Sequence, residues 1–259
     1  MDARHPEHEE HPLNAEPSAQ LTLLDLQAQE SALAQLNHRR TSLPEHARIA
    51  ELQARVDELD GQRIEADTEV GDLTRAQSKA DAEVENVKAR RVRDEDRLSS
   101  GAITNPKDLE SLQHELGALE RRISTLEDEE LEVMEKLEDA QKRLDAVTAD
   151  LEAIKVELEH VTTARDSAVE AIDAEFGSIT AERDRVVAQV PDDLLALYKK
   201  VQDQYGGLAA AALRARRCEG CRLEINDADL REIAAKPDDE VLRCPECSRI
   251  LVRTAESGL

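Results

Sequence analysis

Tryptophan is absent from this chain, and only three of its 259 residues are aromatic: Phe176, Tyr198 and Tyr205. So few rings argue against one large globular core, and they leave no platform on which exposed bases could stack. No apolar run approaches the 18 residues or so that a membrane-spanning helix needs. No glycine-rich phosphate loop, G-x-S-x-G elbow or H-E-x-x-H pair occurs, so the common catalytic motifs are missing and a non-enzymatic protein is expected. Positive charge is scarce as well. Thirty-four Lys and Arg face 58 Asp and Glu, a formal net of −24. The polar leader of residues 1–17 holds three prolines and resembles neither a signal peptide nor a lipid anchor. It reads as a disordered tail, with His5, His8 and His11 as solvated side chains, and the protein is expected to be cytoplasmic.

What is abundant is Leu, Ala, Glu, Asp and Arg, the composition of long exposed helices. A helix is expected from residue 18 to about 41, with Leu21, Leu24, Leu26, Leu33 and Leu36 on one broad side. Pro44 interrupts it, because proline lacks an N–H and clashes with the preceding turn. A strict 3/4 spacing then runs from Ile49 through Leu52, Val56 and Leu59 to Val87, interrupted only by Arg63 and Gln77. This is a coiled-coil seam. Residues 99–105 form a turn, in which Asn105 is suited to cap a helix and Pro106 to open it. A second seam runs from Leu109 to Ile179, broken only by Glu130, Arg165 and Glu175. That helix, from Pro106 to about residue 189, would be on the order of 125 Å long.

Two such helices joined by a short loop fold back as antiparallel neighbours, so an intramolecular hairpin over residues 18–190 is favoured over a dimeric coiled coil. A turn centred near residue 103 places residue i opposite roughly 207 − i, and so Gln77 opposite Glu130. A connecting helix is expected at 191–204, opened by Pro191, Asp192 and Asp193 and closed before Gly206. The like charge of the arms suits solubility, so partners are expected at the two ends of the hairpin rather than along its middle.

The four cysteines all lie in the remaining segment, 205–259, as Cys218-Glu219-Gly220-Cys221 and Cys244-Pro245-Glu246-Cys247. Two C-x-x-C turns separated by 22 residues supply four thiolates for one tetrahedral Zn²⁺. Gly220 would let the first turn tighten, and Pro245 presets the second. A disulfide framework does not suit a long chain without a secretory signal, and a redox dithiol would sit beside a βαβ pattern that is missing here. A strand within Leu208–Arg217 is expected to pair with a returning strand, Arg249–Arg253. A short helix, Ala228–Ala235, should be capped by Asn226 or Asp227 and stopped by Pro237. The fold class is thus mainly α, a coiled-coil hairpin with a small α+β zinc-ribbon domain.

Seven arginines lie near the cysteines in sequence: Arg214, Arg216, Arg217, Arg222, Arg243, Arg249 and Arg253. The segment is almost neutral, net −1, while the other 204 residues carry −23. These arginines are candidate contacts to a macromolecular partner. A protein partner is the first reading, because the acidic arms would repel a long polyanion. Nucleic-acid binding or a transcription-associated role is the alternative, since arginine is well suited to phosphate. The plainer reading is that the arginines balance the thiolates and pair with nearby acids.

The tip segment from Thr104 through Asn105-Pro106-Lys107-Asp108-Leu109 to Leu116, with Cys-x-Gly-Cys-Arg and Cys-Pro-x-Cys-x-Arg-Ile-Leu, resembles a bacterial family of C4-type zinc-ribbon proteins with an N-terminal coiled-coil hairpin. The resemblance covers roughly residues 18–254. It implies that Cys218, Cys221, Cys244 and Cys247 carry zinc. It also implies a role in binding nucleic acid or protein partners, some members being tied to alternative sigma factors and to flagellar or secretion systems. Ser248 stands where the family has glycine, and Val252 where it has an aromatic residue.

Overall fold

The computed structural model describes residues 13–101 and 103–259. Its long helices are α1 (Pro17–Thr41), α2 (Pro44–Ser99) and α3 (Pro106–Val187), followed by α4 (Asp192–Gln204). The chain divides into two compact units, one of residues up to Leu43 with Arg165–Leu259, the other of Pro44–Ala164. The break between α1 and α2 falls at Pro44, as the proline requires. Among the described residues no helix is long and apolar enough to cross a membrane.

In the Pro44–Ala164 unit α2 and α3 form an antiparallel coiled coil. Each expected seam position in this unit is buried or half-buried, Arg63, Gln77 and Glu130 included. Ile49, Leu52, Leu59 and Val84 pack with Leu112, Leu119, Ile123, Leu126, Ala140 and Leu151 as the buried apolar residues. The seam also continues past Val87 to buried Asp94, which Arg90 and Arg97 neutralise at 3.8 and 3.3 Å. Ion pairs cross between the helices, Arg143 to Glu69 and Lys88 to Glu127, each at 2.8 Å. Asn105 caps α3 by accepting from the Lys107 N–H at 3.1 Å.

Register departs from expectation at one place. Glu130 meets Asp81 of α2, whose Oδ1 is buried with no other hydrogen-bond partner among the described residues. Position 81 lies one helical turn beyond 77, and sliding two apolar stripes by about a turn keeps both covered, so the seam alone leaves register open. Two carboxyl groups then face each other, and burial and that contact hold the Glu130 acid above its usual range.

The other unit has two cores, and the larger is built from four sources. Leu23 and Leu26 of α1, Val186 and Val190 at the end of α3, and Leu194, Tyr198 and Val201 of α4 surround Ala209, Ala210, Ile250 and Val252. Of the expected apolar side of α1, Leu26 and Leu36 are buried and Leu24 and Leu33 half-buried, but Leu21 is 45% exposed, and Gln20 and Gln27 are buried instead. Past Ile172 the seam of α3 shifts phase. Glu175 is exposed, and Ile179, Arg183, Val186 and Val190 turn inward. Steps of four in succession lengthen the repeat and unwind a left-handed supercoil.

The expected disordered tail does not extend to residue 17. The Ala15 N–H donates to Asp239 O at 2.7 Å and the Val241 N–H to Leu13 O at 2.9 Å, so residues 13–15 pair with 239–241. The earlier part of that tail, with its three histidines, lies outside the described residues.

The C-terminal segment holds β1 (Ala210–Arg214), β2 (Arg217–Cys218), α5 (Asp227–Ala235), β3 (Leu242–Arg243) and β4 (Ile250–Arg253). The sheet order is β2-β1-β4-β3. The returning strand does pair with the first, and the pairing is parallel, Ala210 opposite Ile250 and Leu213 opposite Arg253. A tight turn with Ala215 and Arg216 at φ 44° and 66° brings β2 back against β1. Asn226 caps α5, accepting from the Ala228 and Asp229 N–H groups at 3.0 Å.

Candidate metal centre and the surface around it

Two loops carry the cysteines toward each other, one after β2 and one between β3 and β4. In each, the N–H four residues beyond the first cysteine closes a turn: Arg222 to Cys218 O at 2.7 Å, and Ser248 to Cys244 O at 2.8 Å. Both closing residues have positive φ, 66° and 57°. Gly220 does not, and its glycine serves a close approach instead. A Cβ there would lie 3.0 Å from Ala211 Cβ and 3.3 Å from Arg249 Cδ.

The four Sγ atoms lie within 4.8 Å of one another. Cys218 and Cys247 are 3.9 Å apart, as are Cys221 and Cys244. A tetrahedron with metal–sulfur bonds near 2.3 Å has edges of about 3.8 Å. The sulfurs are therefore preset for one Zn²⁺, and all four are free of disulfide. Burial pushes the Cys218 and Cys244 thiols up. Main-chain N–H groups work the other way, those of Gly220 and Cys221 toward Cys218, and those of Glu246 and Cys247 toward Cys244. At Cys247 burial also raises the thiol, but the backbone and side chain of Arg249 and two neighbouring cysteines outweigh it, leaving it below its ordinary value. Fixed donors aimed at sulfur are what a metal-bound thiolate requires. Four sulfur ligands close the coordination sphere and leave no position for a substrate.

The seven arginines separate by role. Arg253 is a structural clamp whose side chain is 14% exposed, so it is withdrawn from the candidate contact surface. It donates to Lys236 O at 3.0 Å, Pro237 O at 2.5 Å and Glu240 O at 3.3 Å, fixing the segment after α5. Arg249 donates to Leu208 O at 2.8 Å and lies over the Tyr205 ring. Arg243 donates to Ser248 O at 2.7 Å. Arg214 pairs with Glu256 and Glu219, Arg216 with Asp227, and Arg217 with Glu224. Of the seven, Arg222 alone has a side chain with no hydrogen bond or ion pair among the described residues, and it is exposed beside Leu223, itself 52% exposed.

Gln27 was not singled out from sequence. Its Oε1 accepts from Tyr198 OH at 3.0 Å and from the Ala209 and Ala210 N–H groups at 2.7 and 3.2 Å, while its Nε2 donates to Gly207 O at 3.1 Å. One buried amide thus ties α1 to α4 and to the start of β1. Burial raises the Tyr198 hydroxyl well above its ordinary value, so it stays a donor. The only local signal was a polar residue one helical turn after inward Leu23 and next to inward Leu26.

Comparison with known proteins agrees with this architecture. Residues 26–206 match the CT398-like coiled coil hairpin domain, and residues 217–251 match a C4-type zinc ribbon domain. Neither description is that of an enzyme. An uncharacterised protein of Mycobacterium tuberculosis is 36% identical over 245 residues, covering 93% of this chain and 98% of the relative. A structure from Mycobacterium smegmatis aligns with TM-score 0.80 and 34% identity over 93% of this chain and all of the other. CT398 from Chlamydia trachomatis shares the fold, with TM-score 0.64 and 16% identity over 92% of this chain and 98% of its own. The chain belongs to the CT398-like coiled-coil hairpin family and ends in a C4-type zinc ribbon.

Proposed function

We propose that this protein is a cytoplasmic, non-enzymatic adaptor whose zinc ribbon docks a protein partner. The observation that carries the reading is the exposed pair Arg222–Leu223 on the first cysteine turn. The Arg222 guanidinium has no partner among the described residues, and Leu223 is a large apolar side chain in solvent. A cation beside an apolar residue on a metal-braced turn supports binding to an acidic protein surface with an apolar contact at its centre. Arg214, Arg216, Arg217 and Arg243 would add weaker rim contacts, since each already has a partner. A protein partner is favoured over nucleic acid because Tyr205 is covered by Arg249 and Tyr198 is buried, leaving no ring on the ribbon for a base.

The test is affinity capture from cell extract with the intact chain, against Arg222→Glu with Leu223→Ser. Removing 205–259 is a poorer test, because the core around Leu23 and Tyr198 includes Ala209, Ile250 and Val252. Specific protein partners should be lost from the double variant while its zinc content is unchanged. Capture that survives the double change would refute the docking surface. A salt-sensitive gel shift with generic RNA or DNA, abolished by Arg222→Glu, would replace a protein partner with nucleic acid.

A further inference from the structure

The arms were expected to carry like charge that suits solubility, and on one stretch of α3 two large apolar side chains share the solvent face. Leu131 and Met134 of α3 are 56% and 41% exposed. They stand three residues apart, so they share a face, and neither belongs to the seam of Glu130, Val133 and Leu137. With Thr74 and Gln77 of α2 and with Leu137, Glu138 and Gln141 they line an open groove of about 620 Å³. The groove lies where the hairpin's own seam is polar. Gln77 interrupts it on one helix and Glu130, facing Asp81, on the other. Ile64 and Val156 are also exposed, and neither lines this groove.

Acids outnumber cations around this groove. Residues 127–139 hold eight carboxylates and a single lysine, Lys136. Lys136 is already paired with Glu132, and Lys142, which lines the groove together with Glu135, is paired with Glu138 and Asp139. On the facing stretch of α2, Arg75 pairs with Asp72 and Lys79 with Glu83. Among the described residues no cation pairs with Asp128 or Glu135. We infer that this groove is a docking site for a basic amphipathic helix of a partner protein. The helix would lay apolar residues at i, i+3 and i+4 over Leu131 and Met134, and would set lysines or arginines against the flanking acids. This surface is separate from the zinc ribbon, and it selects a partner of opposite charge to the one proposed there.

The probe is a fluorescent amphipathic peptide of about 18 residues, with leucines at i, i+3, i+4 and i+7 and lysines elsewhere. Its anisotropy is measured with the full zinc-loaded chain, with Leu131→Gln plus Met134→Gln, and with Ile64→Gln plus Val156→Gln. The groove variant should bind about tenfold more weakly or worse, and the second variant like wild type. Both pairs of side chains are exposed, so an unchanged melting curve confirms that the hairpin is intact. Equal binding to all three would mean attraction by charge alone and would overturn the site. So would equal binding of a peptide with glutamates in place of the lysines. A concentration-dependent dimer in sedimentation, lost only in the groove variant, would give the groove to a second copy of the chain and overturn the basic helix as its occupant.

Discussion

Ser248 closes the second cysteine turn at φ 57°, in the left-handed region that suits glycine. Arg222 does the same in the first turn at φ 66°. Relief of that backbone should favour glycine at 248. Ser248→Gly is expected to stabilise the zinc-loaded protein by up to about 1 kcal/mol, and Ser248→Val, branched at Cβ, to destabilise it by at least as much. Thermal melts of the two variants under saturating zinc check the sign of each. The four cysteines were legible because two turns of fixed length have few other uses in such a chain. The work of Gln27 was not, because all but one of its partners lie more than 170 positions away along the chain. No local pattern encodes a partner that arrives from so far.

Between elements, the 3/4 spacing was read correctly along most of α2 and α3, since a solvated coiled coil has one continuous seam and little else to bury. What the spacing left open was which residue faces which. The Asp81–Glu130 contact is the outcome, and its acidity has a consequence. The folded-state pKa of Glu130 lies above its unfolded value, because the contact with Asp81 and burial both favour the protonated acid. The contact therefore contributes fully below the unfolded carboxylate pKa, and its contribution is lost as pH rises through the higher folded value. Glu130→Gln supplies a permanent donor to Asp81 and removes one of two like charges. The variant should melt above wild type near neutral pH, and the gap should close as pH falls through the carboxylate range. A gap independent of pH would mean that the acid pair does not titrate in the folded hairpin. The direction of β1 against β4 was equally hidden, because alternation specifies that a strand pairs but not which way it runs.

Taken whole, the chain separates a self-sufficient coiled coil from a unit that depends on metal. Zinc holds Cys218 and Cys244, both part of the apolar cluster with Leu213, Ile225, Leu242 and Leu251. On the same strands, Ala210, Ile250 and Val252 belong to the core of α1 and α4. Chelation should therefore expose four titratable thiols and raise hydrogen exchange in β1, β4 and the Leu23–Gln27 part of α1. Most helical circular dichroism should persist, because the seam of Pro44–Ala164 contains no residue of the ribbon. Collapse of that signal, or unchanged exchange in α1, would contradict this division. The pairing of Leu13–Ala15 with residues 239–241 bears on how the molecule is made. Gln20 likewise donates to Asp238 O, 218 positions later. During synthesis the coiled coil has all of its own contacts in hand while the ribbon is still unwritten. The earliest helix must wait, part of its apolar face uncovered, until the last strand emerges and the ribbon takes up its metal. A cell short of zinc would then accumulate chains with a finished hairpin and an exposed base, the form that chaperones and proteases recognise.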